Sequence, residues 1–191
     1  TNSREGENLI KQFLYPMRTI FIFFGSFLIA TTAFAQEAYQ FTPQIDLEAT
    51  PVISQGRTGT CWSFSTSSFL ESEIIRLTGK EIDLSEMYTV RNTYPKKAEN
   101  FVMRQGKAQF SEGGLAHDVM NSVREFGLVP NSAFTGLDAS EENHNHAELV
   151  AVLESMVKTY VDNPGRKLSK KWRPAVHAVL DTYLGANPST F

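Results

Sequence analysis

The chain has 191 residues, 41% of them hydrophobic, with 12 glycines and 8 prolines, a composition that excludes a disordered, collagenous or disulfide-stapled protein. Its length suits one domain or a piece of a larger one. With 18 basic against 21 acidic side chains the formal net charge is −3, and nothing in that balance calls for nucleic acid as an obligatory partner.

The first residue is Thr1, and Met17 opens a more familiar pattern. Arg18 supplies a positive charge, Ile20 to Ala30 is almost wholly apolar, and Ala33-Phe34-Ala35 has the small-x-small form of a cleavage site before Gln36. The run is short for a membrane span. The expected organisation is therefore residues 1–16 upstream of the start, 17–35 an export signal, and 36–191 the mature part. An uncleaved membrane anchor is the alternative. No cysteine follows the apolar run closely, which speaks against a lipid-anchored start.

Gln36 to Pro51 reads as an extended lead-in, and Ser54 to Thr60 as a loop whose glycines let the backbone turn tightly. From Cys61 the apolar residues Trp62, Phe64, Phe69, Leu70, Ile74, Ile75 and Leu77 predict a helix buried on most sides, ended at Gly79 by a left-handed cap. A second, short helix is expected from about Leu84-Ser85-Glu86. Residues 91–112 are polar and basic and read as a surface insertion with little defined structure. Gly113-Gly114 opens a helix carrying Leu115, Val119, Val123 and Phe126 and closed by Gly127. Phe126 to Leu137 is rich in turn signals. Ala147 to Tyr160 has helical apolar spacing at Leu149, Val150, Leu153, Met156, Val157 and Tyr160, and Pro174 to Leu184 reads as a last helix closed by Gly185. The segment as a whole is helix-rich.

Cys61 is the only cysteine, so no internal disulfide is available, and a free thiol in an exported chain is exposed to oxidation unless it has a chemical task. A thiol attacks as its thiolate, and a helix N-terminus favours that charge. Cys61 stands where the loop ends and the helix begins. Gln55, six residues upstream, carries a side-chain amide suited to donate to an oxyanion; losing one such donor typically costs about 10²–10³ in rate. Trp62 is placed to shield the charge from water. A lone cysteine at a helix start also fits an inert, buried thiol.

The run Q-G-R-T-G-T-C-W-S-F, Gln55 to Phe64, resembles the active-site signature of the papain-like cysteine peptidases, with the Gln, the second Gly, the Cys and the Trp in register. Leu84-Ser85-Glu86 is similar to the family's L-S-E at the start of its next helix. Gly113-Gly114, followed by a helix and Phe126-Gly127-Leu128, is similar to the segment whose backbone pairs with substrate. The ordered matches run from Pro51 to about Leu137. Most secreted members have a second Cys three residues before the nucleophile; this chain has Thr58. The aminopeptidase C and bleomycin hydrolase branch also lacks that disulfide, and it carries inserted helices and usually assembles as a homohexamer. An export signal is unusual for that branch.

The resemblance implies an α+β, papain-like fold of which this chain supplies mainly the helical N-terminal half. It implies Cys61 as nucleophile, Gln55 in the oxyanion hole, and Gly59, Trp62, Gly113 and Gly114 as substrate-side residues. It also implies peptide substrates, a thioester acyl-enzyme, a homohexamer when full length, and no cofactor, metal or membrane in the mature form.

A papain-type thiolate needs a histidine as base and an Asn-like group to orient it, roughly 130–150 residues after the Cys or further with insertions. The four histidines, His117, His144, His146 and His177, fall short of that interval. His177 sits in His-Ala-Val, which also occurs at the family's base, but its context is helical rather than a strand followed by glycine. His117 is expected on a first helical turn. His144 and His146, two apart beside Glu141 and Glu142, lack a third ligand and read as a solvated loop. Arg91, Lys96, Lys97, Arg104 and Lys107 read as solvated surface. The expected function is thus a cysteine peptidase, of aminopeptidase type by resemblance, whose His and Asn lie beyond Phe191. An inactive papain-like binding module and a non-functional truncated fragment are the rival readings.

Overall fold

The structure is a computed structural model that describes residues 39–189 apart from 164 and 166. The export-signal reading of residues 17–35 lies outside them. The chain divides between Ile45 and Asp46, and the unit from Asp46 onward holds all five described helices. These are α1 (Cys61–Thr78), α2 (Glu86–Met103), α3 (Ala116–Phe126), α4 (Ala147–Val161) and α5 (Trp172–Leu184). Among the described residues the only β pairings are isolated bridges, Arg57 with Asn145 and Leu84 with Pro130. No described helix is long and apolar enough to cross a membrane.

The hub is α2, which packs against each of the other four helices; α1 also packs on α3 and α4 on α5. Ser85 caps α2, its hydroxyl accepting from the Tyr88 amide at 2.9 Å and satisfying one of the free donors of the first turn. The extended segment before it is tied to the turn after α3: Ser85 N donates to Val129 O and Asn131 N to Asp83 O, both at 2.9 Å. The expected L-S-E helix start is therefore present, but the helix runs 18 residues where a short one was expected.

Residues 91–103 thus belong to the core's central helix, and the reading of 91–112 as a loosely structured surface insertion is corrected. The sequence hides this because α2 buries polar side chains. Thr89, Arg91, Asn92 and Thr93 are all buried. Thr93 Oγ1 donates to Thr89 O and Asn92 Nδ2 to Tyr88 O within the helix, and Asn92 Oδ1 accepts from Asn187 Nδ2 at 2.7 Å. Arg91 reaches α5 instead, where it pairs with Asp181 and donates to Gly185 O at 3.2 Å. Arg91 is not solvated surface. Lys96 is: it is half-exposed and pairs with Glu125 at 2.7 Å.

Helix α1 begins at Cys61 and ends as expected, with Gly79 at φ +66° donating to Ile75 O. Its burial is not the expected one. Trp62, Ser63, Thr66, Ser67 and Glu71 face inward, whereas Phe69 and Leu77 are 62% and 68% exposed. Between Trp62 and Glu71 the inner face is small and polar, which lets α1 approach closely: Ser63 Oγ donates to Glu86 O at 2.9 Å. Glu71 accepts from the Leu84 amide and from Thr50 Oγ1.

The remaining helices follow their apolar spacing. Val119 is fully buried on α3, which Gly127 ends at φ +79°. Leu149, Leu153 and Val157 line α4, and Trp172, Val176, Leu180 and Leu184 line α5, which starts two residues before the expected Pro174.

Candidate active site

Cys61 is the first residue of α1 and is exposed. No side chain caps this helix and no acidic residue lies in its first turn. The positive end of the helix field is therefore left for a negative charge at the Cys61 sulfur or on an oxygen beside it. A loop that is closed upon itself delivers the chain to this point. Gln55 Nε2 donates to Thr58 O at 2.6 Å, and Thr58 Oγ1 donates back to Gln55 O at 3.0 Å. An amide nitrogen has two hydrogens, so the bond to Thr58 O leaves the second N–H of Gln55 unused by it. Thr58 is buried and its proton is spent on Gln55, so Thr60 Oγ1 donates to Thr58 Oγ1 at 2.5 Å.

The Gly-Gly segment meets this loop through Trp62. Trp62 is buried, its Nε1 donates to Glu112 O at 3.0 Å, and its ring lies against Gly114 so closely that a Cβ there would fall 2.6 Å from the ring. Gly59 donates its amide to the Glu112 carboxylate. The structure thus brings Gly59, Trp62 and Gly114 into direct contact around Glu112, with Cys61 between Gly59 and Trp62 in the chain. Gly113 flanks the same point and accepts from Lys97.

A second segment grips the loop, and the sequence reading missed it. Arg57 N donates to His144 O at 2.7 Å and His146 N to Arg57 O at 3.3 Å. Gly56, at φ +65°, passes so close that a Cβ would lie 2.4 Å from His144 O. His144 stands edge-on to Phe64, with ring centroids 6.5 Å apart, and His146 is 2% exposed beside Tyr94. Burial holds the His144 imidazole below its usual range; burial, with the neighbouring His144, pushes His146 down to about 4. Both are neutral at pH 7. The expected solvated loop is therefore a packed strap over the Gln55–Thr58 turn. The spacing of two histidines could not show this, because the pairing is with residues almost 90 positions away.

The other histidines lie elsewhere. His117 is exposed, with Nε2 3.6 Å from Asp118 Oδ1. His177 lines a groove of about 280 Å³ between α2 and α5, with Trp172, Arg173 and Lys96, that includes none of the Cys61 loop. Cys61 has no hydrogen bond to a histidine among the described residues. The site brings together an exposed thiol at a helix N-terminus, the Gln55 side-chain amide and the Gly113-Gly114 segment. No described group of three or more His, Cys, Asp or Glu side chains has a metal-binding arrangement.

Residues 42–171 match the sequence profile of the papain family cysteine proteases. A probable cysteine protease RD19B of Arabidopsis thaliana is 30% identical over 148 residues, 71% of this chain and 39% of that protein. Human cathepsin L2 is 35% identical over 150 residues, again 39% of its length. The chain thus spans about two-fifths of the curated relatives it matches over most of its own length. Among solved structures, PepW of Lactobacillus rhamnosis superposes with a TM-score of 0.63 at 20% identity, over 78% of this chain and 40% of that one. The fold is papain-like, represented in the described residues by helices, and the chain belongs to the papain family of cysteine peptidases.

Proposed function

We propose that Cys61 is the nucleophile of an exported aminopeptidase of the aminopeptidase C and bleomycin hydrolase type, and that this chain supplies the front half of its active site. The carrying observation is the position of Cys61: an exposed thiol at the uncapped, acid-free N-terminus of α1, behind a loop that presents Gln55. In this reading the thiolate attacks the scissile carbonyl, and the oxyanion is held by the Cys61 amide and the spare Gln55 N–H. The amine leaves with a proton from the histidine base, and water then hydrolyses the thioester. The Gly113-Gly114 backbone aligns the substrate. The base and its orienting Asn come from sequence beyond Phe191.

Support for the branch comes from Thr58 in place of a cysteine and from the length of α2. The 17–35 pattern supports export with a cleaved signal. The exposed Phe69 and Leu77 of α1, with Val52 and Ile53 at 101% and 52% exposure, supply apolar surface for a second half to cover. The homohexamer is carried over with the branch.

The test compares fluorogenic aminoacyl and N-blocked peptidyl substrates on the full-length gene product and on the 191-residue chain. The full-length protein is expected to cleave free-amino substrates preferentially and to lose turnover in Cys61→Ala. The 191-residue chain is expected to be inactive. Preference for blocked peptides overturns the aminopeptidase reading. Turnover by the short chain that Cys61→Ala abolishes overturns the half-site reading and directs attention to His177.

A further inference from the structure

Glu112 carries no motif of its own, yet more of the site converges on it than on any glycine. Its carboxylate accepts from Gly59 N, two residues before Cys61. Its main-chain oxygen accepts from Trp62 Nε1, one residue after Cys61, at 3.0 Å. One residue therefore holds the chain on both sides of the nucleophile. Lys97 of α2 fixes the anchor in turn, donating to Ser111 O at 2.9 Å and to Gly113 O, the carbonyls on either side of Glu112.

The glycines are shaped to this contact. Gly59 does not have a left-handed φ, so its backbone angles do not demand glycine. A Cβ there would instead fall 2.9 Å from the Glu112 carboxylate and 3.0 Å from its Cβ. Gly114 is closed off by the Trp62 ring. Glycine at both positions permits a close approach of the Gly-Gly segment to the nucleophile loop. A carboxylate bonded to a backbone N–H is a charge-assisted contact, about twice as strong as a neutral one.

We propose that Glu112 is a positioning residue for Cys61, holding Gly59 and Trp62 through hydrogen bonds and so joining the nucleophile loop to the Gly-Gly rail where Thr58 leaves no cysteine for a covalent tie. This rests on the peptidase reading for its functional meaning, but the tie is a property of the chain itself. It makes the thiol and the rail one unit: substrate aligned on Gly113-Gly114 is aligned on Cys61. A misplacement on the ångström scale between rail and nucleophile is worth up to about 10²-fold in rate.

The test uses the full-length protein, with the Gly59 amide assigned by NMR and the alkylated Cys61 identified by peptide mapping. Amide exchange of Gly59 is followed by NMR on ¹⁵N-glycine-labelled protein, and Cys61 reactivity by the rate of iodoacetamide alkylation. In Glu112→Ala the Gly59 amide is expected to exchange about 10- to 100-fold faster, the range for a lost hydrogen bond to a charged group. The Cys61 alkylation rate is expected to change with it. Glu112→Gln keeps an acceptor oxygen at the same reach and is expected to recover most of the protection. If Glu112→Ala does not fold, Glu112→Asp decides: it keeps the charge, withdraws it by one methylene, and is expected to release Gly59. A Gly59 amide that exchanges at the rate of an open chain in the wild type overturns the proposal. Unchanged exchange in Glu112→Asp does so too.

In the full-length protein Glu112→Ala is expected to lower kcat more than it raises KM, a split that general loss of stability would not produce. An equal loss in Glu112→Gln and Glu112→Ala overturns the positioning role. Protection of Gly59 by Glu112 in a full-length protein without turnover would sustain the tie and remove only the peptidase reading.

Discussion

The α4–α5 hairpin and the α1–α2 pair bury side chains of different kinds. On α4 and α5 every buried residue is apolar: Leu149, Leu153 and Val157 on one helix, Trp172, Val176, Leu180 and Leu184 on the other. On α1 the inward face is Trp62, Ser63, Thr66, Ser67 and Glu71, and α2 buries Glu86, Thr89, Arg91, Asn92 and Thr93 beside apolar residues such as Met87, Val90, Tyr94 and Phe101. The hairpin is held by the area it removes from water. The α1–α2 pair adds to its apolar burial named hydrogen bonds, from Ser63 Oγ to Glu86 O and from the Leu84 amide to Glu71. A scaffold can be built on apolar area alone, whereas a site needs groups fixed in direction. The polar pair is where direction is supplied.

The sharpest way to separate the two is a matched pair of deletions. Leu153→Ala on α4, at a fully buried position, is expected to cost about 2–5 kcal/mol, the range for a leucine truncated in a packed core. Ser67→Ala on α1 removes a buried hydroxyl that has no hydrogen-bond partner. It is expected to be neutral or stabilising, within about 1 kcal/mol, because an unpaired buried polar group is itself a penalty. Urea unfolding of both variants measures this. A Ser67→Ala loss as large as that of Leu153→Ala would dissolve the distinction.

The next effect is one of pH. Glu86 is buried near Glu71 and Asp83, and burial, with repulsion from those carboxylates, pushes it up to about 7. Between its ordinary 4.5 and about 7 the folded chain keeps a proton that the unfolded chain has released, so this group's contribution falls as pH rises through that window. His146 does the opposite. Its pKa is depressed from 6.5 to about 4, the unfolded chain binds the extra proton between those values, and stability rises with pH there. The two slopes oppose each other over their shared range. Glu86→Gln is expected to expose the rising limb of His146 between about pH 4 and 6.5 and to remove a penalty on the order of 3 kcal/mol at about pH 8, from the rise of Glu86 from 4.5 to about 7. His146→Phe is expected to expose the falling limb of Glu86 instead. Thermal melts from about pH 4 to 8 show both; profiles parallel to wild type in each variant would contradict the assignment.

The same division decides what the sequence could reveal. The α4 and α5 helices were readable because apolar side chains recur at helical spacing, and the Gly79, Gly127 and Gly185 ends were readable because few other residues close a helix so well. Cys61, Gln55 and the Gly-Gly pair were readable as residue types in a known order. Helix α2 was not, since Arg91, Asn92 and Thr93 carry no outward sign of having partners inside the fold. Leu77 and Phe69 misled for the converse reason: an apolar residue does not say which surface will cover it. Glu112 and the His144–His146 strap were invisible because their partners, Gly59 and Arg57, lie 53 and almost 90 residues away. A glutamate before two glycines is ordinary surface composition until the fold brings an amide to it.

Two glycines sharpen the comparison at its smallest scale. At Gly114 the φ is ordinary, and the constraint is the Trp62 ring, 2.6 Å from where an added methyl group would stand. Gly114→Ala must displace the ring or the rail, an overpacking expected to cost about 1–3 kcal/mol. It should also shift the Cys61 alkylation rate, because Trp62 follows Cys61 directly. At Gly79 the space is open and the constraint is a φ of +66°. Gly79→Ala is expected to cost about 1 kcal/mol for the left-handed conformation and to leave Cys61 reactivity unchanged, the strain being at the far end of α1. The two substitutions add the same methyl group. If both moved thiol reactivity alike, α1 would be transmitting strain along its length; if only Gly114→Ala does, the control of Cys61 lies in the contact between the rail and the loop.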